Sequence, residues 1–393
     1  MNDPLKILLN EDIQNFINTN LDSDTNQLAL QKNNFDIDYI RIINQIVAKQ
    51  KAKFKLPTWF KTVKILYPSK VSIEQTSSEK TAAYKASLIS GESIIDLSGG
   101  FGVDDYYFSK VFREVIHCEI NTELSQIVSH NFKQLEIENC TCHIGESSAI
   151  LEKLDRKFSW IYVDPSRRND SKGKVFLLND CEPNVPELLP LYFKYSDNIL
   201  IKTAPLLDIH SGLTELQFVK KIHIIALENE VKELLWEIKN NYHEAITIHC
   251  INIEKDQNQI TDFVLNHNYI PTYSAPQKFL YEPNAAILKS GNFNAVSALF
   301  KMNKLHQHSH LYTSDEKIVF PGRSFQIETI IPFQKKEIKT HLQDKKMNIT
   351  IRNFPLKVDE IRKKYKIKEG GSVFAFFTTD IENNKIVLLC SKI

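Results

Sequence analysis

The chain is short of cysteine, of net charge and of long apolar runs, and each shortage excludes a class of protein. Its six cysteines, Cys118, Cys140, Cys142, Cys181, Cys250 and Cys390, are scattered through 393 residues. They form neither a disulfide framework nor a zinc-ligand spacing, and Cys140-x-Cys142 alternates on an expected strand. All six therefore read as reduced core thiols of a cytosolic protein. Lys and Arg number 49 against 48 Asp and Glu, a formal net charge of +1, so composition alone gives no reason to expect a polyanionic partner. No apolar run approaches the roughly 20 residues that cross a bilayer. The opening MNDPLKILLNEDIQNF has too short an apolar stretch, and no cleavage pattern, for a signal peptide. Internal repeats and low-complexity tracts are also missing. The expectation is a soluble, cytoplasmic protein of two or three domains with no membrane contact.

Three patterns follow one another along the chain. Up to about residue 70, Ile13, Phe16 and Ile17, then Ile40, Ile42, Ile43 and Ile46, recur at helical spacing, with Asp12 and Asp36 as candidate caps. This region closes on Lys49, Lys51, Lys53, Lys55, Lys61 and Lys64, with no acid among them. From 71 to 265, short apolar runs alternate with helical stretches. The expected strands are Ser93–Leu97, Glu114–Glu119, Thr141–Ile144, Trp160–Val163, Asn198–Thr203, Ile222–Leu227 and Ala245–Ile253. Thr122–Gln134 and Glu230–Lys239 read as helices. Such alternation predicts βαβ units in a mostly parallel, doubly wound α/β sheet. Residues 266–320 lose that register and read as a small connecting domain, for which a ferredoxin-like fold is one option. Residues 321–393, with the Gly370-Gly371 turn and the runs SVFAFFTT and KIVLLC, form a last small α+β unit.

The most informative residues are SIIDLSGGFGVDD (Ser93–Asp105) and WIYVDPSRR (Trp160–Arg168). The first is an apolar strand ending in Asp96, then a turn through Ser98, Gly99, Gly100 and Gly102, then a helix start. Such a turn lets a ligand approach bare backbone and a helix amino terminus. Glu119 ends the next strand, where a carboxylate can accept from ribose hydroxyls. That pair alone suits a nicotinamide dinucleotide or S-adenosylmethionine (SAM). Glu146 after the third strand, an acid suited to an adenine amino group, and Asp164-Pro165 at the end of the fourth favour SAM, as does the absence of a full GxGxxG.

With these residues the chain resembles the class I SAM-dependent methyltransferases, whose first motif reads acidic-x-Gly-x-Gly-x-Gly. Asp96, Gly100 and Gly102 match, and Ser98 stands where the first glycine usually is. IEQTSSEKTAAYKA (Ile73–Ala86), DLSGGFGVD, DPSRR, IKTAPLLDI (Ile201–Ile209) and the tail from FPGRSF resemble a bacterial group of such enzymes with a carboxy-terminal THUMP-like domain. The likeness covers most of the chain beyond residue 50. It implies a Rossmann-like, seven-stranded SAM methyltransferase sheet with a helical amino-terminal region and a small α+β carboxy-terminal domain. Because THUMP domains proper accompany RNA-modifying enzymes, it also implies an RNA substrate, tRNA or rRNA, methylated at a base nitrogen.

Carried over, the resemblance gives Gly100 and Gly102 the floor under the methionine part of SAM, with Ser98 and Gly99 in the same cofactor-binding turn. Asp96 would hold the turn or the cofactor's amino group, Glu119 the ribose, Ile120 the adenine face, and Glu146 with Ser147 the adenine amino group. Gln75, Ser77 and Thr81 would cover the cofactor, although Gln75 and Thr81 also suit helix capping. Asp164, in the Asp164-Pro165 strand end, would aim an acceptor amine. Lys202 would face the same crevice and meet phosphate or Asp164. Arg167 and Arg168 suit base stacking or phosphate, or a solvated loop. Cys181 lacks an identifiable general base for nucleophilic catalysis.

No metal is expected. His306, His308 and His310 would point the same way on a strand and so could hold one, but a polar loop is the simpler reading. Between Lys335 and Lys368, twelve basic residues face four acids, and Arg362, Lys363 and Lys364 there are candidate RNA contacts, unless they form a solvated helix face. Two rival readings are a non-catalytic RNA-binding protein of the same fold, and a methyltransferase with a protein or small-molecule acceptor.

Overall fold

The computed structural model describes residues 4–68, 70–167 and 177–393. The amino-terminal stretch is helical: α1 (Pro4–Leu8), α2 (Glu11–Thr19), α3 (Thr25–Ala29), α4 (Tyr39–Lys55) and α5 (Pro57–Lys61). The caps sit two residues from the expected aspartates. Asn10 accepts from the Asp12 N–H, and Asp38 accepts from the Ile40 N–H, which satisfies a free amide at each helix start. Ile13, Ile17, Ile42, Ile43 and Ile46 are buried, whereas Ile40, in the first turn of α4, is 65% exposed.

The helices α6 (Lys70–Gln75) and α7 (Glu79–Leu88) lead into a parallel sheet. Its strands are β1 (Gly91–Asp96), β2 (Phe112–Glu119), β3 (Cys140–Ile144) and β4 (Trp160–Val163). The short strands β5 (Ser166–Arg167) and β6 (Cys181–Glu182) pair with each other, and β7 (Asn198–Thr203) returns to the sheet. Crossover helices α8 (Val103–Phe108), α9 (Thr122–Gln134), α10 (Ser147–Leu154) and α11 (Val185–Tyr192) connect the strands, and α12 (Ile209–Glu215) follows β7. The parallel order is β7-β4-β1-β2-β3. Chain order reverses between β1 and β4, and the crevice beyond the carboxyl ends of those two strands is where such sheets take ligands.

The next segment corrects an expectation. Glu230–Lys239 is not a helix but a strand, β9, after β8 (Val219–Leu227). Glu228 and Asn229 both have positive φ, 51° and 64°, the backbone of a two-residue hairpin turn. Its Glu, Lys and Leu content favours helix locally, but Leu234, Leu235, Trp236 and Ile238 are buried, and tertiary packing overrides a propensity that small. β10 (Thr247–Ile253) pairs parallel to β8, and β11 (Gln259–Val264), a further strand beyond those expected, pairs antiparallel to β10.

The chain divides into two compact units, one running to Lys220 and taking in Leu235–Glu244, the other comprising Lys221–Leu234 and Ala245–Ile393. In the first, the amino-terminal helices share a core with the sheet's helices: Trp59 and Tyr67 each lie 6.3 Å from the ring of Phe101, inside the glycine turn. Packing on the helical region thus fixes the turn from below.

The second unit holds an eight-stranded sheet, β12 (Thr272–Tyr273), β13 (Phe279–Pro283), β14 (Asn303–Lys304), β15 (Tyr312–Ser314), β16 (Gly322–Pro332), β17 (Asn348–Ile351), β18 (Val373–Thr379) and β19 (Lys385–Lys392). The helices are α13 (Ala285–Ser290), α14 (Phe293–Phe300), α15 (Lys335–Leu342) and α16 (Val358–Tyr365). Alternation along β18 separates two cores. Ala375 and Phe377 pack with Ile338 and Leu342 of α15 and Ile361 and Tyr365 of α16, while Phe376 packs with Leu280 and Phe325.

Candidate active site

The glycine turn forms as expected, and its hydrogen bonds show why each residue is there. Gly100 and Gly102 have φ of 56° and 72°, which a side chain would strain. Gly99 is required for space: a Cβ there would lie 2.2 Å from the His117 ring. Ser98, the departure from the family motif, has a function of its own. Its hydroxyl donates to Asp96 Oδ1 (2.9 Å) and accepts from the Asp164 N–H (2.6 Å). One side chain thereby joins the carboxyl ends of β1 and β4, the two sides of the crevice. Asp96 Oδ1 also accepts from the Ser98 N–H at 2.7 Å. Glu119 accepts from the Gly100 N–H (3.0 Å) with one oxygen and from the Asn121 N–H (2.7 Å) with the other.

At the end of β4, Asp164 pairs with Lys202 across the adjacent ends of β4 and β7. Pro165 is buried and Asp164 keeps 34% of its side chain exposed. Lys202 thus meets Asp164, one of its two expected partners. The backbone of Arg167 lies in β5, opposite Cys181; Arg168 falls outside the described residues. Cys181 is wholly buried.

Other sequence candidates are engaged differently. Both oxygens of Glu146 cap α10, accepting from Ser148 and Ala149 N–H at 2.9 and 2.8 Å. Partial burial opposes its charge, but those two bonds prevail and hold its carboxyl below the ordinary range. Ser147 opens the same helix. Ile120, which follows Glu119, is 71% exposed. Gln75 is exposed. Thr81 is buried in the first turn of α7, and the cap there is Ser78, which accepts from the Thr81 N–H. Ser77 is buried and donates to Asp104 (2.9 Å) while accepting from Lys85 (2.7 Å).

The Ser77–Asp104 bond opens a network the motifs did not announce. Asp104 ion-pairs with the fully buried Lys85 at 3.0 Å and accepts from the Tyr162 hydroxyl at 2.9 Å. Burial opposes its ionisation, yet Lys85 and then Lys202 outweigh that cost and hold Asp104 below the usual aspartate range. Its neighbour Asp105 lies 2.7 Å from His117 Nδ1, both without solvent exposure. Burial, and then the charge of Asp104, push Asp105 well above the ordinary range. Asp96 is raised too, by burial and then by Asp105, and burial lowers His117. The sequence signal was the Asp104-Asp105 pair at a helix start, which has no role in the glycine motif itself.

The basic stretches are partly neutralised in space. Lys51 pairs with Glu74, Lys53 lies 3.9 Å from Asp22, and Lys55 donates to the carbonyls of Ile73 and Glu74 at 3.0 and 2.7 Å. On α16, Lys363 and Lys364 are exposed, and Arg362 is half-buried 4.0 Å from Glu369. His306 lies between Asn353 and Asn383, at 2.9 and 3.1 Å. His310 stacks on Phe293 at 3.5 Å. Among the described residues no group of His, Cys, Asp and Glu is arranged to hold a metal, and no helix is long and apolar enough to cross a membrane.

The architecture has relatives. Residues 279–321 match a family profile described as a ferredoxin-like domain, and residues 322–392 one described as THUMP domain-like. No curated protein matches the chain. The crystal structure of the "putative methyltransferase from Porphyromonas gingivalis W83" is similar throughout, with 31% identity over 99% of each chain and a TM-score of 0.87. An rRNA methylase from Streptococcus thermophilus aligns with 41% of this chain and 95% of its own, at 13% identity and a TM-score of 0.30, a likeness too slight to bear on the chemistry. Identity and coverage of the first order make the conclusion plain: the chain belongs to the family of the Porphyromonas protein, with a Rossmann-like methyltransferase fold and a THUMP-like carboxy-terminal domain.

Proposed function

We propose that this protein is a SAM-dependent methyltransferase acting on a base nitrogen of a structured RNA, tRNA or rRNA. The observation that carries the reading is the Ser98 bridge, which ties the cofactor turn to the Asp164 backbone at the switch point of the sheet. The turn fits the adenosyl group. A Cβ built on Gly100 would meet nothing closer than the Ser98 carbonyl at 3.6 Å, so there is room over that glycine, and Ile120, next to Glu119 in the chain, is exposed. The Glu119 carboxylate would accept from ribose hydroxyls, Gly100 and Gly102 would lie under the methionine part, and Glu146 and Ser147 would face the adenine edge.

When bound, SAM supplies a methyl group on a sulfonium, whose carbon–sulfur bond breaks as the acceptor nitrogen forms its own. The chain's task is then alignment. Lys202 fixes one oxygen of Asp164, Ser98 and buried Pro165 fix its backbone, and the other oxygen accepts a hydrogen bond from the acceptor N–H, aiming the nitrogen lone pair. The proton leaves to solvent after transfer. The RNA part of the reading is supported by the THUMP-like segment and by the exposed bases of α16, and Arg167 and Arg168 follow the Asp164-Pro165 pair in the chain. In domain terms we assign residues 1–70 to a helical support, 71–265 to catalysis, 266–320 to a connector and 321–393 to RNA docking.

The test is label transfer from SAM to total RNA of a strain lacking the gene. Asp164→Ala should lose methyl transfer by about 10²–10³-fold while its SAM affinity by calorimetry stays within a few-fold. Label appearing in protein, or an Asp164→Ala variant with full activity, overturns the proposal.

A further inference from the structure

The amino-terminal helices carry a groove of about 560 Å³ between α2 and the segment from α4 to Lys64. Its volume is within the range of small-ligand sites. Lys49, Lys61 and Lys64 line it, and Glu11 is the single acid among the lining residues. Lys49 is the unusual member. It is only 9% exposed, its ammonium reaches Asn18 Oδ1 at 2.7 Å, and it passes 5.8 Å from the Phe60 ring. Among the described residues no carboxylate pairs with it, unlike Lys51 and Lys53 on the same helix, which meet Glu74 and Asp22. A cation held out of water by neutral partners alone is where an incoming anion gains most.

The rim at Lys64 is fixed in place, because His130 Nε2 on α9 donates to its carbonyl at 2.8 Å. The groove thus presents a buried cation, two further lysines, an aromatic ring and a side-chain amide, Asn18.

We propose that this groove binds one unpaired nucleotide of the RNA substrate, its phosphate on Lys49, Lys61 and Lys64 and its base against Phe60. An aromatic ring beside phosphate-binding cations is how single-stranded nucleic acid is gripped without strict sequence choice. This deepens the RNA reading above and rests on it. An acidic peptide would use the lysines but leave the ring and the amide idle.

The experiment measures binding of a labelled single-stranded RNA octamer, of a nucleoside monophosphate and of an acidic peptide to the full-length protein, with SAM titrated separately. Lys49→Met keeps the stem over Phe60 and removes the charge; it should weaken octamer binding about tenfold and leave SAM affinity unchanged. Lys61→Ala with Lys64→Ala should lower the slope of log affinity against log salt by about 0.7 for each phosphate no longer neutralised. Lys49→Met should also melt at or above the wild-type temperature, since a buried cation without a counter-ion is gone; this readout shows that it folds. Monophosphate binding without octamer binding would make the groove a site for a free nucleotide and overturn the proposal, as would tighter binding of the peptide. Equal octamer binding by all variants overturns it too, and label transfer to RNA by the same preparations then reports separately on the methyltransferase reading.

Discussion

Glu282 in the second unit and Asp105 in the first are both carboxylates out of water, 3% and 0% exposed, yet their surroundings differ. Glu282 on β13 sits opposite Arg323 on β16 and accepts from its Nε at 2.7 Å, while Arg352, just past β17, reaches the other oxygen at 2.7 Å. Gly322 permits the close approach, since a Cβ there would strike the Glu282 carbonyl at 2.2 Å. Among the described residues Asp105 has no such lysine or arginine. Its neighbours are Asp96, Asp104 and His117; burial and then the charge of Asp104 push its carboxyl well above the ordinary range, while burial lowers His117. Two cations around one acid make a joint between strands. Acids crowded against one another beneath the glycine turn instead shift one another's ionisation. The buried ions of the two units therefore differ in kind: a compensated joint in the second, a cluster of mutually perturbed acids in the first.

Substitutions can break that contrast. Glu282→Gln should have the largest effect on stability. Losing the carboxylate of a buried pair costs about 3–5 kcal/mol, and because both arginines are about a third exposed and can rehydrate, about 2–3 kcal/mol is expected here. Chemical denaturation should show this loss in the second unit's transition, with methyl transfer per folded molecule unchanged. A large loss of turnover instead would put Glu282 in the chemistry and erase the distinction.

Ser98→Ala comes next. It leaves the Asp164 N–H without a partner and removes one of the two bonds that Asp96 Oδ1 accepts, worth about 1–2 kcal/mol. Since those bonds join the two halves of the site, the loss should appear as a roughly tenfold drop in kcat/KM with little change in melting temperature. A change confined to melting temperature would reduce Ser98 to a structural residue.

Asp105→Asn should be the gentlest, and it sharpens the comparison through pH. A carboxyl whose folded value is raised contributes stability that is present below the ordinary aspartate range and fades as pH rises toward the folded value. Asparagine can meet His117 without ionising, so the variant should lose that slope. Its melting temperature should gain on the wild type as pH increases above the aspartate range, by roughly 2–4 °C for each kcal/mol recovered. Parallel pH profiles would mean Asp105 is ionised in the folded protein after all.

The local patterns that were legible are those whose period or spacing is short. The apolar runs of β1, β2, β4 and β7, the glycine turn, Glu119 and the Asp164-Pro165 strand end are each visible within a few residues. Glu230–Lys239 was misread because its composition favours helix while its burial obeys a sheet. Lys85, Asp104 and Tyr162 were not seen as one cluster, since 19 and 58 positions separate their members. Glu146 illustrates a third case: the residue was noticed, but its capping bonds depend on where α10 begins.

By itself, then, the order of residues determined the alternation of strands and helices, the bend that only glycine allows, and the acids that end the strands, because these follow from side-chain periodicity and backbone sterics within one segment. Only the tertiary structure decided which acid is held below the ordinary range and which are raised above it, that a serine hydroxyl binds β1 to β4, and that Lys49 is buried with no carboxylate paired to it among the described residues. Those outcomes depend on desolvation and on partners brought from distant parts of the chain, and neither quantity exists until the chain has folded.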